Sequence, residues 1–158
     1  MTKTEQKHIL EELDNLDIEY DVYSHGRIHS SEDAADERDH DLDETVKSLV
    51  LEAGDGVVLY ALQGNRLVDF EALADELGVD DISLSDPTTV EEATGCVVGS
   101  VPPFGPCLGL ESYVDEAVLE KDVVHASIAT HTDSVAVTTD VFDELDFDVL
   151  NCSYEKDM

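Results

Sequence analysis

Two periods of apolar residues run through the chain. Ile9, Leu10, Leu13 and Leu16 recur at helical spacing behind Thr2 and Glu5, which have the spacing of a capping box, so the chain is predicted to open on a helix. Residues 18–23 then alternate, with Ile18, Tyr20 and Val22 turned inward, which predicts a half-buried strand. A short helix is expected over 30–37, opened by Ser30 or Ser31, followed by a solvated acidic loop over 39–44. Residues 46–53 form a nearly continuous apolar run and predict a central strand buried on both faces. Asp55-Gly56 then turns the chain into a hairpin partner over 57–62.

Punctuation marks the following elements. Asp69 is placed to cap a helix with Phe70, Leu73 and Leu77 on its buried stripe, and Gly78 to end it. Asp86-Pro87 opens another short helix that Gly95 stops. Extended chain is expected over 96–98, strands over 110–114, 123–128 and 134–138, a helical turn over 140–145, and a short polar tail from Asp146. Helices and strands alternate with hairpin spacings mixed in, and no repeat, linker or composition break divides the chain. The fold class expected is α+β: one domain over 1–158, with a mixed, mostly antiparallel sheet flanked by helices.

Composition changes the picture of the surface. There are 39 acidic side chains against 8 Lys plus Arg, a formal charge of −31, yet 42% of the 158 residues are hydrophobic. Low hydrophobicity with high charge would mean disorder; here the apolar residues suffice for a core. The acids are spread over nearly every helix and turn, as in proteins of salt-accumulating halophiles, where molar salt shortens the Debye length to roughly 3 Å and screens the repulsion. A broad basic nucleic-acid-binding face is excluded, and no DNA partner is expected. No run approaches a membrane-spanning length, and the N-terminus lacks the apolar stretch of a signal peptide. Cys96, Cys107 and Cys152 are odd in number and contain no CxxC pair, so a reduced, cytoplasmic location is expected.

Two features carry candidate chemistry. Lys47 is one of the few cations, and it sits inside an otherwise apolar strand. It either snorkels to water or points into a polar pocket, and the scarcity of lysine favours the pocket. The second feature is Gly95-Cys96-Val97-Val98-Gly99-Ser100-Val101-Pro102-Pro103-Phe104-Gly105. Glycines allow close approach of a ligand, prolines hold one shape, and a rigid row of amides suits an oxyanion or a phosphate. The loop has neither the GxGxxG nor the Walker pattern, so no nucleotide cofactor is expected. The six histidines show no zinc spacing and read as ordinary surface or loop residues, and no metal is expected. No GxSxG elbow occurs, and Cys107 reads as core filler.

Lys47 within Thr45-Val46-Lys47-Ser48-Leu49-Val50, followed some fifty residues on by Gly99-Ser100-Val101-Pro102-Pro103-Phe104-Gly105, resembles the YbaK/ProX family. These are free-standing relatives of the editing insertion of prolyl-tRNA synthetase. Thr94-Gly95, Tyr113-Val114-Asp115-Glu116, and His25 with Ser31-Glu32-Asp33-Ala34-Ala35 match further family motifs, so the resemblance runs from about residue 5 to 145. It implies hydrolysis, in trans, of the ester of a mischarged aminoacyl-tRNA, without cofactor or nucleophilic side chain. By position, Lys47 would hold the terminal adenosine or its phosphate. The backbone of Gly99, Ser100, Val101 and Pro103 would bind the aminoacyl carbonyl, and His25, Ser31, Phe104, Gly105 and Asp115 would contact substrate. Gly-Ser in place of Gly-Gly, Pro102 in place of serine, and the lack of a glycine near Ala126-Ser127 depart from the family pattern and bear on pocket size.

The partner implied is the acceptor end of a mischarged tRNA, with an aminoacyl-tRNA synthetase as a further candidate. The alternative is a non-catalytic module of the same fold that binds aminoacyl-tRNA or a synthetase. Because counterion release on phosphate contact weakens with salt, recognition is expected to be local, with Arg27, Arg38 or Arg66 adding single phosphate contacts.

Overall fold

The computed structural model describes residues 2–24, 44–54, 56–96, 100–130 and 132–155. The expected helix over 30–37 and the extended segment over 97–98 lie outside them. Helix α1 (Thr2–Asn15) buries Ile9 and Leu13 completely, as its stripe requires, whereas Leu16 is exposed. Strand β1 (Tyr20–Ser24) follows. It is an edge strand, so Val22, expected inward, stays 39% exposed despite lying opposite Val135.

Strands β2 (Val46–Ala53) and β3 (Gly56–Gln63) form the expected hairpin, in unbroken register from Val46–Gln63 to Ala53–Gly56. A short β4 (Arg66–Val68) leads to α2 (Phe70–Leu77). Asp69 caps it by accepting from the Ala72 N–H, and Gly78 closes it in the left-handed conformation (φ 69°) that glycine adopts without steric cost. Leu73 is buried as expected, but Phe70 is exposed. Next come β5 (Ile82–Leu84) and α3 (Pro87–Thr94), with Asp86 as its cap and Gly95 as its stop. Strands β6 (Glu111–Asp115), β7 (Val123–Ser127) and β8 (Asp133–Thr138) precede α4 (Asp140–Glu144).

The chain after Asp146 is more ordered than its polarity suggested: β9 (Asp148–Leu150) pairs in parallel with β6, and β10 (Ser153–Glu155) antiparallel with β4. The described strands form a mixed five-stranded sheet in the order β5-β2-β3-β6-β9, an antiparallel three-stranded sheet β1-β8-β7, and the β10-β4 pair. A parallel bridge between Thr45 and His125 joins β2 to β7, so the two larger sheets meet along the part of β2 that β5 leaves uncovered. One face, through Val46, Val50, Leu59, Val114, Val124 and Val135, packs against α1, α3 and α4 in the larger core. The opposite face of β2, β3 and β6 packs Leu51, Tyr60, Leu62 and Tyr113 against α2 in a smaller one.

Candidate active site

Register places the candidate residues. Side chains directly opposite each other in a sheet share a face. Ser127 lies opposite Ser134, and Ser134 opposite Tyr23. The Thr45–His125 bridge, continued two residues along the parallel strands, brings Lys47 level with Ser127. Lys47 in turn lies opposite Leu62, and one step beyond the Ala61–Val114 pair Leu62 lies beside Asp115. One row therefore crosses both sheets through Tyr23, Ser134, Ser127, Lys47, Leu62 and Asp115, on the face turned away from the larger core. Lys47 is half-buried in the middle of this row, where the polar residues of β7 and β8 meet the apolar residues of β3.

His125 and Thr45 form the adjoining step. The Tyr23 hydroxyl lies 2.8 Å from His125 Nδ1, and the two rings meet edge to face. Both His125 and Thr45 are buried, and the Thr45 hydroxyl has no hydrogen-bond partner among the described residues. In the sequence His125 reads as an ordinary histidine, and Ser127 stands out only as a place where the family pattern has a nearby glycine. The available signal was the alternation in Val124-His125-Ala126-Ser127-Ile128, whose apolar members all enter the core and leave His125 and Ser127 on the other face.

The loop approaches this row from the end of β7. Ser100, Val101, Pro102, Pro103, Phe104 and Gly105 are all buried, with Val101 and Phe104 in the larger core. Ala129, two residues past Ser127, donates its N–H to the Ser100 carbonyl at 2.9 Å. The other end is fixed by Gly105, where a methyl group would stand 1.8 Å from Ser112 Oγ. A side chain at residue 105 would force Ser112 to turn away and the loop to shift. The Gly105 carbonyl also accepts from the Leu110 N–H at 3.0 Å. Pro102 and Pro103 have no N–H to give, and the Val101 and Phe104 amides donate to no acceptor among the described residues. Buried amides nearly always have a partner; these two have none among the described residues. Gly99, His25 and Ser31 lie outside the described residues.

Asp115 and Arg66 meet in one polar cluster. The Asp115 carboxylate is fully buried and accepts from the Tyr60 hydroxyl at 2.6 Å and from the Ala117 N–H at 3.3 Å, with Arg66 Nε at 3.7 Å. Tyr60 in turn accepts from the Cys152 N–H at 3.1 Å, and Arg66 donates to Ser153 Oγ at 2.6 Å and to its carbonyl at 3.1 Å. Burial first, and then the bond to Asp115, push the Tyr60 hydroxyl far above the ordinary phenol range. It therefore remains a donor at any physiological pH. This knot ties β10 and β4 to the sheet and commits the Arg66 guanidinium to protein partners, which argues against the phosphate contact expected of it. Cys107, next to the loop, is raised to about 11 by burial and by the charge of Glu12, so its thiol stays protonated and a poor nucleophile at neutral pH.

The profile of the aminoacyl-tRNA editing domain matches residues 25–145. Over 107 residues the chain is 32% identical to the multifunctional Ser/Thr-tRNA deacylase ProXp-y of Escherichia coli K12, covering 65% of this chain and 64% of that one, slightly under two-thirds of the relative's length. It is 26% identical over 133 residues to the prolyl-tRNA editing protein ProX of Acetoanaerobium sticklandii, covering 82% and 80%. The fold matches the crystal structure of a candidate trans-editing enzyme for prolyl tRNA synthetase with a TM-score of 0.80 at 22% identity, over 95% of this chain and 97% of that one.

Proposed function

Because the chain belongs to the aminoacyl-tRNA editing domain family, we propose that it is a deacylase that removes wrongly attached amino acids from tRNA in trans. The observation that carries this reading is the pairing of Lys47, half-buried among apolar strand neighbours, with an anchored loop whose Val101 and Phe104 amides have no acceptor among the described residues. In this reading the aminoacyl ester lies along the row with its carbonyl oxygen at the Val101 N–H. Water adds to the carbonyl carbon and the oxygen takes up negative charge, which a preorganised amide stabilises more than it stabilises the neutral ester. The bond to the ribose oxygen then breaks. That oxygen takes a proton derived from the water, and free amino acid and tRNA leave. Lys47 holds the terminal adenosine or its phosphate, placing the ester against the loop.

Ser100 and Pro103 shape the loop, Phe104 and Gly105 set its depth, and Gly99, His25 and Ser31 contact the substrate as the family resemblance implies. Asp115 acts indirectly, by holding the sheet beneath Leu62. With a charge of −31, recognition is confined to the acceptor end of the tRNA. A synthetase that hands over the charged tRNA would supply the remaining affinity. The protein works as one domain in the cytosol of a salt-rich cell, where its charge is screened. A panel of mischarged tRNAs assayed in molar KCl tests the reading. Release of at least one amino acid is expected, with loss of turnover in Lys47→Ala. Binding without turnover across the panel would instead identify a non-catalytic module.

A further inference from the structure

We infer that Ala129 is a positioning residue for this reaction, because its backbone N–H sets the direction in which the Val101 N–H points. The inference rests on the proposed role of the loop. The Ser100 carbonyl and the Val101 N–H belong to one peptide unit, which is planar and trans, so the two groups point in opposite directions. The Ala129 N–H holds the Ser100 carbonyl at 2.9 Å. With that oxygen fixed toward the β7–β8 turn, the Val101 N–H must face away from the turn. Its only remaining freedom is a flip of the whole peptide unit, which would break the Ala129 bond.

The turn itself shows why residue 129 is available for this task. The β7–β8 ladder ends at the Ile128 N–H, which donates to the Asp133 carbonyl at 3.3 Å. The chain then turns sharply, because Ala129 adopts φ +66°, a left-handed conformation that a residue with a side chain rarely takes. The turn closes with Thr130 Oγ1 accepting from the Asp133 N–H at 3.0 Å and donating to the Asp133 carboxylate at 2.8 Å. Gln6 and Ser24 brace the same carboxylate at 3.2 and 2.7 Å. Ala129 is fully buried. An unfavourable backbone conformation is thus kept at a buried residue of a braced turn, and its N–H is spent on the Ser100 carbonyl.

The test removes that N–H alone. Lactic acid incorporated at position 129 replaces the amide by an ester and keeps the methyl group, whereas Ala129→Gly keeps the N–H and suits the left-handed conformation. With the best mischarged tRNA of the panel, the ester variant should lose about tenfold in kcat, with KM within about twofold and a folded circular-dichroism spectrum. Ala129→Gly should stay within about twofold of wild type. An ester variant with wild-type kcat overturns the inference, as does an equal loss in both variants. If Lys47→Ala loses turnover while the ester variant does not, only the inference fails; if Lys47→Ala is as active as wild type, the underlying reading fails. Should the ester variant not fold, hydrogen exchange on the wild-type protein decides. The Ala129 amide must then be protected as well as the ladder amide of Val124, and exchange at the rate of an exposed loop refutes the bond.

Discussion

Lys47 is conspicuous in the sequence because its neighbours are apolar, and the structure keeps it half-buried at the junction of two sheets. His125 and Ser127 were harder to read. Their alternation is visible, but only the bridge to Thr45 shows that their face continues into that of Lys47. Gly105 was legible as a loop glycine, but its reason lies in a contact with Ser112, which no local pattern encodes. Gly105→Ala should cost about 1–3 kcal/mol through overpacking, and pairing it with Ser112→Ala should recover part of that loss, because the hydroxyl nearest the new methyl is gone. Thermal denaturation of the single and double variants checks this. If Gly105→Ala melts with the wild type, the loop is not anchored there.

At the level of elements, the capped helices, the β2–β3 hairpin and the strands of the second half follow from turn residues and periodicity, which act locally. β4, β5, β9 and β10 did not stand out, because three-residue strands carry almost no periodicity and form through pairing with distant partners. The Tyr60–Asp115–Arg66 knot is equally non-local, since Tyr60 and Asp115 are 55 residues apart. Tyr60→Phe removes the donor to a buried carboxylate and the acceptor for the Cys152 N–H, and should cost about 1–3 kcal/mol in chemical denaturation. An unchanged midpoint would show that the knot is dispensable.

Alkaline stability reports on the same packing. Burial raises Cys107 from 9.0 to about 11 and, aided by Glu111, Tyr113 from 10.0 to about 12. The folded state binds these protons more tightly than the unfolded chain does. Their contribution is therefore complete below pH 9 and is lost as pH rises from 9 toward 12. Melting temperatures measured from pH 7 to 11 should stay level to about pH 9 and fall above it. A rise over that upper range would contradict the burial of both groups.

Across the whole molecule, the net charge of −31 opposes compactness, and salt relieves that opposition. Raising KCl from 0.1 to 2 M should lift the melting temperature by at least about 4 °C, the shift produced by roughly 1–2 kcal/mol at this chain length. A melting temperature that falls with KCl would detach the acidity from a saline habitat. The same charge sharpens the functional question. A protein with this surface has no broad basic face along which to gather tRNA, so the proposed reaction would rest on a few well-placed groups, Lys47 among them. The decisive measurement is single-turnover hydrolysis of a mischarged tRNA in molar KCl by wild type and by Lys47→Ala, with folding followed in parallel. The role proposed for Lys47 predicts a folded variant at least about 100-fold slower, the scale on which loss of one preorganised group acts in an enzyme site. Equal rates for the two proteins would contradict it.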